Sequence, residues 1–103
     1  MSAAFRHVVL FRWKPGTAAH ELDALERALA ALPRAIPEIL DYRFGRDAGA
    51  ATGNFDFAIV ADFADAQAWR RYLDHPAHTA LVAERVRPIL AERAATQFRV
   101  ELD

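Results

Sequence analysis

The sequence predicts an α+β domain of ferredoxin-like order, β-α-β-β-α-β, with an antiparallel four-stranded sheet in spatial order 4-1-3-2 and the helices on one face. Three observations predict it. Residues 5–13 and 55–63 are runs of aromatic and β-branched side chains; a leucine stripe at helical spacing follows the first run; and residues 96–102 alternate apolar with polar. A chain of 103 residues has room for one core, so residues 1–103 read as a single domain.

The first strand, residues 5–13, closes at the turn-forming pair Pro15-Gly16. Thr17 offers an N-cap to the first helix, whose buried stripe is Leu22, Leu25, Leu29 and Leu32. Pro33 is expected to stop that helix, and residues 33–37, with two prolines, are expected to be irregular. The second strand, residues 39–46, sets Tyr42 and Phe44 on one side and Asp41 and Arg43 on the other. Residues 45–54 carry three glycines and connect to the third strand, residues 55–63. Asp65 can cap a helix over residues 66–73. The break at Asp74-His75-Pro76 starts another, running to about Glu92 and bent or shortened by Pro88. Residues 96–102 form a half-buried strand in which Thr96, Phe98, Val100 and Leu102 alternate with Gln97, Arg99 and Glu101.

Alternation also sorts the faces of the sheet. His7, Val9, Phe11 and Trp13 share one face with Phe55, Phe57, Ile59, Ala61 and Phe63, and this aromatic face should meet the helices. The reverse face has Val8, Leu10, Ala58 and Val60 at its centre, flanked by charges. With Val8 opposite Val60, Arg6 would meet Asp62 and Arg12 would meet Asp56. An apolar patch with no helix over it marks an interface, and a second copy is its simplest cover. A homodimer joined through Val8, Leu10, Ala58 and Val60, closing a dimeric α+β barrel, is therefore expected.

Composition removes several function classes. There is no cysteine, which excludes disulfides, thiolate zinc sites and cysteine nucleophiles. The net charge is −1, and Arg70, Arg71, Arg85, Arg87 and Arg93 are interleaved with Asp74, Glu84 and Glu92 as on a solvated helix face, so no nucleic-acid partner is expected. Gly16 stands alone, and Gly45, Gly49 and Gly53 precede a strand rather than a helix, so no phosphate loop and no cofactor is implied. His7, His75 and His78 lack metal-ligand spacing, and no metal is expected. Arg6, His7 and Arg12 interrupt the apolar N-terminal run, which fits neither a signal peptide nor a membrane span; no membrane partner and a cytoplasmic location are the expectation. Trp13 and Trp69 read as packing residues.

Residues 7–17, His-Val-Val-Leu-Phe-Arg-Trp-Lys-Pro-Gly-Thr, the strand at 57–63, and residues 72–78, Tyr-Leu-Asp-His-Pro-Ala-His, together resemble the stress-responsive A/B barrel (Dabb) family. The resemblance extends to Ile36-Pro37 and to residues 86–90, Val-Arg-Pro-Ile-Leu. It implies a dimeric α+β barrel. Most relatives lack an assigned reaction, but a plant polyketide cyclase of this fold uses a tyrosine and a histidine. Tyr72 and His78 resemble that pair, and His7 resembles a histidine of the pocket wall. A second wall histidine of the cyclase falls where this chain has Phe57, which implies a different, more apolar substrate.

Read from the residues themselves, His78 sits in the first turn of a helix, where the dipole disfavours the imidazolium and leaves a neutral base near pH 7. Tyr72 could fold its hydroxyl back toward His78 across the Pro76 break. The buried His7 needs a hydrogen-bond partner or a ligand. His75, preceding a proline at a helix start, reads as a capping or exposed residue. The expectation is a small apolar organic ligand held between sheet and helices. Val9, Phe11, Phe57, Ile59, Leu73 and Leu81 would supply the walls, and His78, Tyr72 and His7 the polar contacts. Cyclase- or lyase-type proton transfer is the catalytic extension of that reading. A non-catalytic dimeric stress or structural protein, which requires a filled interior, and a cofactor-free monooxygenase are the alternatives.

Overall fold

The computed structural model describes residues 2–102. Four strands, β1 (Ser2–Trp13), β2 (Asp41–Arg46), β3 (Phe57–Phe63) and β4 (Leu90–Leu102), form one antiparallel sheet in the order β2-β3-β1-β4. Helix α1 (Ala19–Ala35) connects β1 to β2, and α2 (Ala66–Asp74) and α3 (Pro76–Leu81) lie between β3 and β4. This is the ferredoxin-like fold with the strand order that alternation and right-handed crossovers predict. Among the described residues, no helix is long and apolar enough to cross a membrane.

The central register follows the charge-matching expectation: Val8 lies opposite Val60 and Arg6 opposite Asp62. The Arg6 guanidinium donates from Nε and Nη2 to the two Asp62 carboxylate oxygens at 2.7 and 2.8 Å, a bidentate clamp between the central strands. The pairing expected at the other end does not form. Asp56 instead accepts the Trp13 backbone N–H at 2.8 Å, and Arg12 turns to Glu92 at 3.0 Å, its guanidinium also lying 4.2 Å from the centre of the Phe55 ring. The Trp13 N–H at the strand end needs an acceptor, and the Asp56 carboxylate supplies it.

Element boundaries differ from expectation: β1 starts at Ser2, β2 at Asp41 and β3 at Phe57 rather than at residues 5, 39 and 55, and the helices shift as well. Helix α1 starts after Ala18, whose N–H donates to Glu21 Oε1 at 3.0 Å; Thr17 donates its hydroxyl to the Lys14 carbonyl and does not cap. The same helix runs through Pro33 to Ala35, because an exposed proline in a last turn forfeits only one intrahelical bond. The last helix ends far short of Glu92. After α3 the chain widens into a π turn, Val82–Val86, tightens into a 3₁₀ turn, Arg87–Ile89, and enters β4 at Leu90, six residues before Thr96.

The inner face of the sheet carries the core. Val9, Phe11, Phe57, Ile59, Ala61 and Phe63 pack against Leu25, Leu29 and Leu32 of α1 and Ala68 and Tyr72 of α2. On the outer face Val8, Leu10, Ala58 and Val60 are half-buried, and β4 adds Phe98, which is 47% exposed. Phe98 pairs with Arg6 and therefore shares its face, so the apolar side of β4 extends the outer patch instead of entering the core.

Candidate functional site

Sheet and helices leave a cavity of about 300 Å³ between them, walled by side chains from all four strands and all three helices. It holds the volume of about ten liquid waters and lies at the small end of the range for organic-ligand sites. Val9, Phe11, Ile59, Leu73 and Leu81, which the sequence set at the walls, all line it, together with Leu29, Val82, Val86 and Leu90. Phe57 does not. Its ring is taken up by Trp13 at 5.7 Å and stacks on Phe44 at 6.2 Å, so it closes the core beside the cavity.

The polar groups come from residues that local structure holds firmly. Asp65 caps α2 by accepting the Ala68 N–H at 2.8 Å, and His75 caps α3 through Nδ1, which accepts the Ala77 N–H at 3.0 Å. Pro76 occupies the first turn of α3. Between the two caps the chain bends sharply enough to place the His78 ring 4.3 Å from the Tyr72 ring, centroid to centroid. The expected hydroxyl contact to His78 is replaced by a different one. Tyr72, only 2% exposed, shares a 2.9 Å hydrogen bond with the hydroxyl of Tyr42 on β2.

Each histidine has its tautomer set by its partner. His78 Nδ1 is 3.1 Å from the Leu73 carbonyl, which can only accept, so Nδ1 carries the proton and Nε2 keeps its lone pair. Gln97 on β4, paired with His7 in the sheet, places its side-chain amide nitrogen 2.9 Å from His7 Nδ1. An amide N–H can only donate, so His7 carries its proton on Nε2. The cavity therefore has one imidazole ready to accept a proton and another ready to donate a hydrogen bond.

Electrostatics keep both rings neutral. Burial first, then the nearby Arg93 and His78, push the His7 pKa down to about 4. Burial also lowers His78, helped by Arg93 and His75 and opposed by the hydrogen bond to Leu73. Burial raises Tyr72 to about 12, against the pull of Tyr42 and Arg93, and burial and Tyr72 raise Tyr42. At neutral pH the two phenols are protonated; one donates to the other, and the acceptor's own O–H remains available to a ligand.

Sequence reasoning missed four polar residues of the site. The signal for Tyr42 is its place on the apolar side of its strand. Gln97, Arg87 and Arg93 follow from the early start of β4 and the turn before it, neither of which has a local signature. Arg93 pairs with Phe11 and so faces the helices, and Arg93 and Arg87 both line the cavity while remaining exposed, which places them at its rim.

Comparison with known proteins agrees with this architecture. An uncharacterised protein of Streptomyces coelicolor is 40% identical over 80 residues, covering 76% of this chain and 82% of that protein. A dimeric ferredoxin-like protein of unknown function from Thermobifida fusca is 43% identical and superposes with a TM-score of 0.88 over 97% of this chain and 93% of its own. A hydroxynitrile lyase from Passiflora edulis, at 17% identity and a TM-score of 0.82 over 97% of this chain and 94% of its own, shares the fold alone. The sequence profile of the stress responsive A/B barrel domain matches residues 5–100, and with that coverage the chain belongs to the Dabb family.

Proposed function

We propose that this protein is a homodimer in which each copy binds a small, largely apolar organic molecule in the cavity between sheet and helices. The observation that carries the reading is the cavity itself: about 300 Å³, mostly aliphatic, with two neutral histidines of opposite tautomer and a tyrosine pair lining it. A purely structural domain of this size would close such a space with side chains, because interiors pack to crystal-like density.

The arrangement suits proton transfer at carbon next to a carbonyl or nitrile. His78 Nε2 accepts the proton. The His7 Nε2–H and the free O–H of the Tyr42–Tyr72 pair then donate to the oxygen or nitrogen on which charge develops. A metabolite library screened by thermal shift on wild type and His78→Ala tests the reading. The expected result is a small set of stabilising compounds, mostly apolar, whose shift is reduced in the variant. A library without a single stabilising compound for wild type would reject it.

The dimer rests on the outer face of the sheet. Val8, Leu10, Ala58 and Val60 lie half-buried with no helix over them, Phe98 extends the patch, and an open groove of about 510 Å³ runs where Leu10 and Ala58 meet the glycine-bearing connection. The dimeric state of the Thermobifida fusca relative at 43% identity supports the same assembly. Sedimentation at micromolar concentration should return twice the chain mass. A folded single subunit would overturn the proposal.

A further inference from the structure

The cavity carries an uncompensated positive field. Arg93 and Arg87 both line it, and neither forms a salt bridge with any described residue, although Arg6, Arg12, Arg43, Arg46 and Arg71 all have carboxylate partners. Among the described residues no aspartate or glutamate lines the cavity, and the two histidines there are neutral. Register explains why Arg93 is there: opposite Phe11, its side chain must leave the sheet on the helix side. The 3₁₀ turn Arg87–Ile89 brings Arg87 to the same rim. A cation at the edge of an apolar hole, with no internal counter-charge, is a place where an anion gains more than it would in open water.

The geometry points to an oxyanion subsite at the rim, built on Arg93 with Arg87 beside it, so that the ligand is an amphiphile whose carboxylate or phosphate head meets Arg93 while its apolar body fills the cavity. This rests on the ligand-binding reading above and narrows its substrate class. A guanidinium offers a planar fork to either head group, which a lysine in its place would not. The head sits at the rim, where both arginines remain exposed, so the rest of the ligand, with its carbonyl or nitrile, extends inward toward His78.

Three probes of equal chain length separate the terms: octanoate, octyl phosphate and 1-octanol, titrated at low salt into wild type, Arg93→Gln and Arg93→Lys. Binding is read from the imidazole signals of His7 and His78, which localises it to the cavity, and far-UV circular dichroism confirms that each variant is folded. The expected result is that at least one anion binds wild type roughly fivefold more tightly than octanol, the gain of about one partly exposed charge pair. Arg93→Gln should erase that lead while leaving octanol unchanged, and Arg93→Lys should keep part of it. The stronger of the two anions then names the head group. Equal binding of all three probes to wild type, or an anion lead that survives in Arg93→Gln, overturns the subsite and leaves the apolar cavity standing. Failure of every probe to bind at millimolar concentration overturns both.

Discussion

Acid should unfold this protein through His7 in particular. The side chain is 3% exposed, and its pKa falls from the ordinary 6.5 to about 4. The folded state therefore binds its proton less readily than the unfolded chain, and unfolding takes up a proton wherever the pH lies between those values. Stability is full above pH 6.5, declines as pH falls toward 4, and is lost to its full extent below that. The gap between 6.5 and 4, at about 1.4 kcal/mol per pH unit, bounds the loss near 3 kcal/mol; water reaching the ring through the cavity screens the imidazolium and reduces it to roughly 2 kcal/mol. The perturbation is His7→Gln, whose amide oxygen can still accept the Gln97 N–H. Urea unfolding of both proteins at one fixed concentration, from pH 7.5 to 4, gives the stability difference as a function of pH, and the other titrating groups largely cancel in it. The wild type should lose about 2 kcal/mol relative to the variant across that window. A difference curve that stays level between pH 6.5 and 4, or that rises in favour of wild type as the pH drops, would refute the reasoning.

Further perturbations test the remaining contacts. Tyr42→Phe strips the buried Tyr72 hydroxyl of its partner and should cost about 1–2 kcal/mol in chemical denaturation, part of which Tyr42→Phe/Tyr72→Phe should recover. Asp62→Ala leaves Arg6 without its bidentate acceptor; because the Arg6 side chain is 28% exposed and can rehydrate, the loss should be about 1–3 kcal/mol by the same measurement. Val60→Asp sets a charge in the middle of the outer apolar patch, and sedimentation should then find single subunits at concentrations where wild type is paired. Asp65→Ala removes the cap of α2 and should lower stability by about 1 kcal/mol.

What was legible in the sequence was what alternation and charge report. Val8 and Val60, Arg6 and Asp62 can be paired from the sequence, because a slipped register would strand two charges on an apolar face. The leucine stripe of α1 could be read for the same reason. Residues 90–95, Leu-Ala-Glu-Arg-Ala-Ala, are strong helix formers, yet they lie in β4 because β1 offers them a ladder from Ser2 to Trp13, broken by one bulge at Ala91. Tertiary pairing overrides local propensity there. The site was half legible. His7, Tyr72 and His78 come together as the motif residues suggested, whereas Tyr42, Gln97 and Arg93 owe their places to neighbours on other strands that no local pattern names.

One residue links those two failures of local reading. Pro88 has no N–H to give to the helix, and in a regular α-helix its ring would collide with the carbonyl four positions back. The chain avoids that collision by widening just before it: the Arg87 N–H reaches back five residues to the Val82 carbonyl, the π turn that marks such an inserted residue. The helix then gives out in a single 3₁₀ turn, which the Lys14 N–H ties to the end of β1 by bonding the Ile89 carbonyl at 2.8 Å. Next comes a slip in register, with Arg12 opposite Glu92 and Trp13 opposite Leu90, so that Ala91 is the extra residue of a bulge. That extra residue sets which side of β4 each later side chain leaves from. Without it Arg93 and Gln97 would point away from the helices, His7 would lose its donor, and the cavity would lose the charge at its rim. The widened turn itself supplies Val82, Val86 and Arg87 to the wall, so the segment that breaks the helix also builds one end of the site.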